Sequence, residues 1–420
     1  MVRIGQPPFG KRRIGSATIM SDGVTSILLV WPAEIPTSAN SFTYHYVDFL
    51  EPIAYLHSKA IDVRHVDLGT LARLKQELYV SLLQRPDCVA IYGDVHMKTE
   101  VLFAVEVSKR MSPGSRIIVY GPLATYYGDE LQRATGCYVS GIGDYESILE
   151  SFALRDPRLL VGQRVDGRWL RGEELVPPDV GTFDPHEYQR LLELDRNRSQ
   201  PLNVGFSVSR GCGYGCAYCR LTVEGNQKDR RIPVSHAIKY MSRLHSDGVD
   251  YFKLLSPNFG FDREWVKEFL GEVEALKCKW KCCTRPEYFL DRDVAARYRS
   301  AGCVSVSVGL EVFDQQDYGR IGRTSSLEKA YRGIENLVAE GIKVKCLVML
   351  GVPGITVDSV QQGLQFVESL GAVARPSLYT DYGSLGWDEI EYADKRTPVH
   401  PSHSNPELLF HVYDRQGKMF

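Results

Sequence analysis

Three cysteines share one short glycine-rich stretch, Ser209-Arg210-Gly211-Cys212-Gly213-Tyr214-Gly215-Cys216-Ala217-Tyr218-Cys219-Arg220, with the spacing C-x3-C-x2-C. Glycines at 211, 213 and 215 let the backbone turn tightly enough for three thiolates to wrap a cuboidal iron–sulfur cluster. Three ligands leave one iron open, and an open iron can handle substrate as well as pass electrons. A zinc site normally asks for a fourth Cys or His, and none lies within this loop. The remaining cysteines, Cys88, Cys137, Cys278, Cys282, Cys283, Cys303 and Cys346, read as buried structural thiols. Cys282 and Cys283 fall on opposite faces of a strand, so the two cannot easily share a metal.

The bulk composition sets limits on what these residues serve. The chain has 420 residues, and at roughly 150 residues per domain it should form two or three. Its 50 Lys+Arg balance 52 Asp+Glu, so no basic field points to nucleic acid. Hydrophobic residues at 44% and charged residues at 24% are those of a globular protein. No apolar run reaches ~18 residues, which argues against a membrane span, and the start has no apolar secretory core. A cytoplasmic enzyme with reduced cysteines is the expectation.

The elements that must position the loop can be read on either side of it. Residues 1–24 form a basic arm. Continuously apolar strands are expected at 26–30, 63–68, 88–92 and 116–120, with helices near 47–59, 71–83 and 99–111, followed by a turn at Gly121-Pro122. This alternation predicts a doubly wound, Rossmann-like α/β domain over 25–150, with any ligand at the carboxyl ends of the strands. Residues 151–200 are polar and proline-punctuated and read as a linker. From 201 to 380, strands near 204–208, 251–256, 279–284, 303–308, 343–350 and 372–378 alternate with helices. Six such units fit a partial (βα)6 barrel whose chemistry lies at the strand ends. Residues 381–420 then form a lid or tail.

At this point the chain resembles the radical S-adenosylmethionine (radical SAM) enzymes, on the strength of Cys212-x3-Cys216-x2-Cys219 after a first barrel strand. The resemblance implies a [4Fe-4S] cluster held by Cys212, Cys216 and Cys219, S-adenosylmethionine on the open iron, and an external one-electron donor of the flavodoxin or ferredoxin type. Tyr218 matches the family position bordering the adenine. Ser256 and Asn258, in Leu255-Ser256-Pro257-Asn258-Phe259, stand where many members bind the amino group through Gly-Gly-Glu. Arg285 suits the methionyl carboxylate through its planar fork. Gly309 and Glu311 resemble positions facing the cofactor, and Gly351 and Pro353 the adenine-bordering turn.

Residues 25–150 also resemble the cobalamin-binding domain found upstream of the barrel in one branch of this family. Ile27–Pro32, Pro86–Ile91, Gly121-Pro122-Leu123-Ala124-Thr125 and Gly141-Ile142-Gly143-Asp144-Tyr145-Glu146 carry that likeness. Asp94-Val95-His96 begins an Asp-x-His-x-x-Gly pattern for axial ligation, but no glycine completes it. Bound cobalamin stays open, because members of the branch can bind it without that histidine.

The segment after the sixth strand combines Asp381, Tyr382, Trp387 and Asp388. Carboxylates beside aromatic platforms suit a polar cationic ligand such as an amino sugar. Little chain remains for a peptide- or tRNA-recognition domain, so a small-molecule substrate is expected. The resemblance then leaves two enzymatic readings. One is radical-initiated dehydration of an amino-sugar diol, as in radical SAM diol dehydratases whose cobalamin-like domain is empty. The other is cobalamin-dependent C-methylation. A sensor without turnover is a third reading, but it has no need of an open iron.

Overall fold

The computed structural model describes residues 25–32, 46–68, 75–154, 160–161, 163–179, 181–186, 189, 202–216, 218–352, 357–379 and 385–392. Two parallel sheets organise them. The first contains β1 (Ser26–Trp31), β2 (Asp62–Asp67), β3 (Cys88–Tyr92), β4 (Arg116–Tyr120), β5 (Tyr138–Ser140), β6 (Leu160–Val161) and β7 (Arg164–Val165), in the order β2-β1-β3-β4-β5-β7-β6. Every pairing is parallel except β6 with β7. The residues of β3 are all buried, the expected signature of a strand covered on both faces.

The second sheet is built from β8 (Asn203–Ser207), β11 (Tyr251–Leu255), β12 (Lys279–Thr284), β13 (Cys303–Glu311), β14 (Lys343–Leu350) and β15 (Val373–Leu378), in sequential order and wholly parallel. The outer strands β8 and β15 do not pair, so the expected six-unit partial barrel is an open one. A short antiparallel ladder, β9 (Ser209–Arg210) with β10 (Arg230–Arg231), brackets the cysteine loop. Two of the helices outside the barrel begin at side-chain caps: Asp262 accepts from the Trp265 amide and Ser326 from the Lys329 amide. Each such cap stabilises its helix by about 1 kcal/mol.

The structure differs from the sequence reading in three places. Gly121-Pro122 is not only a turn. It opens the helix Pro122–Thr135, with Gly121 at φ 109° and Pro122 in the first turn, where its missing N–H costs nothing. The helix expected over 47–59 divides into a π-helical turn, Tyr46–Leu50, and the helix Glu51–Ser58, with Pro52 at the junction. The stretch expected as a linker adds β6 and β7 to the first sheet, and the helix Tyr145–Leu154 crosses residue 150. Val165 and Leu170 are fully buried there, but two-residue strands leave too little periodicity to read.

Candidate active site between the two sheets

The cysteine loop leaves β9 through Gly211, which has φ 75°; a Cβ there would stand 2.1 Å from the Lys228 carbonyl oxygen. A Cβ at Gly213 would meet only the outer edge of the exposed Phe261 ring, which can move aside, so close backbone approach and positive φ require glycine at 211. The Cys212 amide donates to the Asn226 carbonyl at 3.2 Å and the Cys219 amide to the Cys216 carbonyl at 3.1 Å, which holds the loop's two ends. Cys216 is buried, whereas Cys212 and Cys219 are partly exposed. Burial raises the Cys219 thiol, and the neighbouring Cys216 and Cys212 sulfurs raise it further, so the three sulfurs sense one another. Among the described residues no Cys, His, Asp or Glu group of three is gathered as a single metal ion would need. A cuboidal cluster asks for something wider, with one thiolate on each of three irons.

Arg285 lies behind the loop. Its Nη2 donates to Cys216 Sγ at 3.4 Å, and its guanidinium lies 3.5 Å over the Tyr214 ring. Ser256 Oγ is 2.6 Å from Ser209 Oγ and accepts from the Asn258 amide at 3.2 Å. The Asn258 side chain is engaged at both ends: it donates to Tyr288 Oη at 3.0 Å and accepts from Thr284 Oγ1 at 3.1 Å. Gly309, Glu311 and Tyr218 converge on Arg323. That guanidinium donates to the Gly309 carbonyl at 2.9 Å, to Glu311 Oε1 at 2.8 Å and to Tyr218 Oη at 3.3 Å. Glu311 stands at φ 73°, at a register shift between β13 and β14, and this costs of order 1–3 kcal/mol of backbone strain. Burial raises its carboxyl, and Arg323 opposes that shift.

The other expected site residues are scattered. Gly351, at φ 79°, follows β14, whereas Pro353, Asp381 and Tyr382 lie outside the described residues. Trp387 packs on the first domain: Lys98 Nζ lies 4.3 Å over its ring and donates to its carbonyl at 2.8 Å, and Tyr127 lies 5.9 Å away. The Asp388 side chain is 98% exposed. Neither residue lines the cavity described below. Of the thiols taken as buried, Cys283 departs: it is only partly buried and faces that cavity, with burial pushing its thiol up to about 11.

A cavity of about 710 Å³ runs between the sheets, lined on one side by Asp48 and Ser140–Tyr145 and on the other by Ser256, Lys253, Lys281 and Arg375. A buried charge network beside it was not anticipated. Arg210, directly before the cysteine loop, reaches Glu146 at 2.5 and 3.0 Å and Glu51 at 2.5 Å. Arg230, its partner across the β9–β10 ladder, bonds Asp144 and donates to Asn226 Oδ1 at 2.9 Å. Glu51 also accepts from the Ser207 amide at 2.6 Å. The first domain therefore clamps both strands flanking the loop. The one trace of this in the sequence is Asp144 and Glu146, within a segment read for fold alone.

Comparison with known proteins agrees with this architecture. Residues 206–367 match the description of the radical SAM superfamily. The chain is 20% identical over 317 residues to an uncharacterized methyltransferase, PH0819, of Pyrococcus horikoshii, covering 72% of this chain and 69% of that one. It is 31% identical over 178 residues to the ribosomal protein uS12 methylthiotransferase RimO of Parasynechococcus marenigrum, but spans only 34% of that protein. Among solved structures it shares its fold with the radical S-adenosylmethionine methyltransferase TsrM of Kitasatospora setae, at a TM-score of 0.67 and 18% identity, covering 86% of this chain and 77% of that one. It shares it also with the cobalamin-dependent enzyme OxsB, at 0.65 and 14%, covering 94% and 56%. The superfamily implies a [4Fe-4S] cluster and S-adenosylmethionine, and Cys212, Cys216 and Cys219 of the glycine loop are the residues that would hold the former. The chain thus carries a radical SAM domain over residues 206–367, behind a domain whose fold is of the cobalamin-binding type.

Proposed function

We propose that this radical SAM enzyme dehydrates a diol in a small polar substrate held in the cavity between its two sheets. One observation carries the choice. In a sheet ordered β2-β1-β3 the ligand ground is the switch point at the carboxyl ends of β1 and β3. Here Trp31 and Tyr92 end those strands, 1% and 0% exposed, stacked 4.3 Å apart. Tyr120 and Tyr145 continue the row of rings at 5.6 and 5.4 Å. A ground filled by the chain's own aromatics fits a corrin poorly and favours the cobalamin-free reading. The expected amino group is left out of the proposal, because Trp387 and Asp388 lie away from the cavity.

The cluster and S-adenosylmethionine, when bound, supply the one-electron chemistry that removes a hydrogen atom from an unactivated C–H bond. In this reading Arg285, stacked on Tyr214, grips the methionyl carboxylate with its planar fork. The carbon that loses hydrogen bears a hydroxyl, whose proton passes to a base while the neighbouring hydroxyl leaves as water. The radical left behind is closed by one electron from an external donor and one proton. Asp48 is the base: it lines the cavity, burial raises its carboxyl, and Tyr92 Oη steadies it at 3.2 Å. A second reading, cobalamin-dependent methyl transfer, draws on the fold shared with TsrM and OxsB.

Anaerobic reconstitution with iron, sulfide and hydroxocobalamin, then desalting and an absorption spectrum, separates the two. An iron–sulfur band without retained corrinoid is the expected result. Stoichiometric corrinoid transfers the assignment to methylation, and failure to form a cluster removes both readings.

A further inference from the structure

The cysteine loop has two sides. Gly211 and Arg220, at its ends, border the 710 Å³ cavity, whereas Gly213, in its middle, floors a shallower groove of about 550 Å³ on the outside. Among the described residues the two depressions share no lining residue, so the loop separates them. Gly213 and Gly215 are exposed and Cys212 partly so, which brings the groove to the backbone that carries the thiols. Phe261, 37% exposed, lines the groove and meets the Tyr214 ring edge-on at 5.5 Å. Arg285 lies 3.5 Å over that second ring and reaches Cys216 Sγ at 3.4 Å. A ring at the surface is thus joined to a buried thiol by an unbroken line of contacts. The rest of the groove is polar: Gln227, Lys228, Asp229, Asp262, Arg263 and Glu264. Asp229 is paired with Arg231 at 2.6 Å, and Asp262 caps the positive N-terminus of the helix Arg263–Val273. Lys228 and Arg263 then outnumber Glu264 at the exposed rim.

We propose that this outer groove is the docking surface for a small acidic protein that delivers one electron, and that Phe261 is the ring on which that protein seats. The inference rests on the iron–sulfur reading of the loop and holds whether dehydration or methylation follows. Under that reading S-adenosylmethionine and substrate take the inner side, so an electron donor must approach from the outer one. The carrier is oxidised by one electron and the iron–sulfur group reduced by one; no bond forms or breaks, and no proton moves. Electron-transfer encounters bury little surface, below about 1,200 Å² in total. A shallow groove with one exposed aromatic and a polar rim suits such an encounter, because the ring supplies the anchor and the rim the wet margin. The excess of cations at the rim steers an acidic carrier and favours one orientation.

A flavodoxin and a ferredoxin, both small acidic carriers, are the probes. Each is titrated in its oxidised form into the reconstituted enzyme by calorimetry at low ionic strength. Each is then used in its reduced form to drive 5′-deoxyadenosine formation, beside dithionite, which needs no docking surface. At least one carrier should bind the parent. Phe261→Ala and Arg263→Glu should weaken that binding about tenfold or more and slow carrier-driven formation to match, while dithionite-driven formation stays within about twofold. Phe261→Trp, which keeps an aromatic anchor, should bind within about twofold of the parent and guards against a misfolded Ala variant. Binding of neither carrier, or binding unchanged in both Phe261→Ala and Arg263→Glu, overturns the proposal. So does an equal loss with dithionite, which would make Phe261 a prop of the loop. An enzyme that forms its cluster and answers dithionite but binds neither carrier removes this inference alone; one that forms no cluster removes the radical reading beneath it.

Discussion

At the carboxyl end of the first sheet Trp31, Tyr92 and Tyr120 are buried to within 1% and pack ring on ring. At the carboxyl end of the second, β8 runs into a glycine loop with three thiols, and the inward positions carry lysine, serine, cysteine and arginine. Apart from the β6–β7 pair both sheets are parallel, and both contribute residues to one cavity. The first packs rings at its strand ends, and its carboxylates Glu51, Asp144 and Glu146 grip Arg210 and Arg230. The second carries at its strand ends the thiol loop that the proposed chemistry needs. Under the proposed reading the ground at the ends of β1 and β3 is closed by the chain's own rings. The side chains decide, and here they make the first domain a brace for the loop of the second.

The largest effect in this contrast should come from the thiols. Changing Cys212, Cys216 or Cys219 to Ala is expected to abolish reductive cleavage of S-adenosylmethionine; 5′-deoxyadenosine formed at parental rate by a Cys216→Ala protein would end the radical assignment. Next comes the brace. Arg210→Ala strands Glu51 and Glu146 as buried charges, at a cost of about 3–5 kcal/mol in thermal or denaturant unfolding. A loss below about 1 kcal/mol, the range of an exposed pair, would mean that the network carries no load. Iron content after reconstitution should fall more in Arg210→Ala than in a core variant of equal stability.

The filled end of the first sheet yields a milder test. Tyr92→Phe keeps the stack on Trp31 and removes only the hydroxyl that donates to Asp48. Stability should drop by about 0.5–1.5 kcal/mol, with corrinoid retention unchanged. Corrinoid bound by this variant but not the parent would show that the ring row is a gate and not a fill. The smallest effect belongs to the surface. Glu174 makes a bidentate pair with Arg168 at 2.7 and 2.8 Å, and that bond lowers its carboxyl from 4.5 to about 2. A depressed folded-state value stabilises above the unfolded value and is lost as pH falls through the folded one. Glu174→Gln should therefore lose ~1 kcal/mol or less near neutral pH, after solvent screening, and nothing at or below about pH 2. Unfolding curves at three pH values read this, and a difference that persists at the acid end contradicts it.

Much of the scaffold was legible because its signals are local. β3 and β4 coincide with apolar runs read directly from the chain, and the helices from 234 and 327 fall where the alternation of strands and helices places them. The cysteine loop was legible for the same reason, since its spacing and glycines lie within a dozen residues. β6 and β7 were not, because two-residue strands owe their existence to the edge they pair with.

What the sequence by itself determined is therefore the thiol set, the two runs of alternating strands and helices, and the order in which they come. The tertiary structure alone decided three further things. It brought Arg210 to Glu51 and Glu146, 159 and 64 residues distant. It turned Lys253 and Lys281 inward on neighbouring strands, which follows from register and not from either strand's own pattern. And it carried Trp387 onto Lys98, 289 residues away, leaving Asp388 in solvent. Spacing along a chain governs which residues can share a turn or a strand face. Which charges meet across a domain boundary depends on how two complete sheets dock, and no short-range periodicity encodes that.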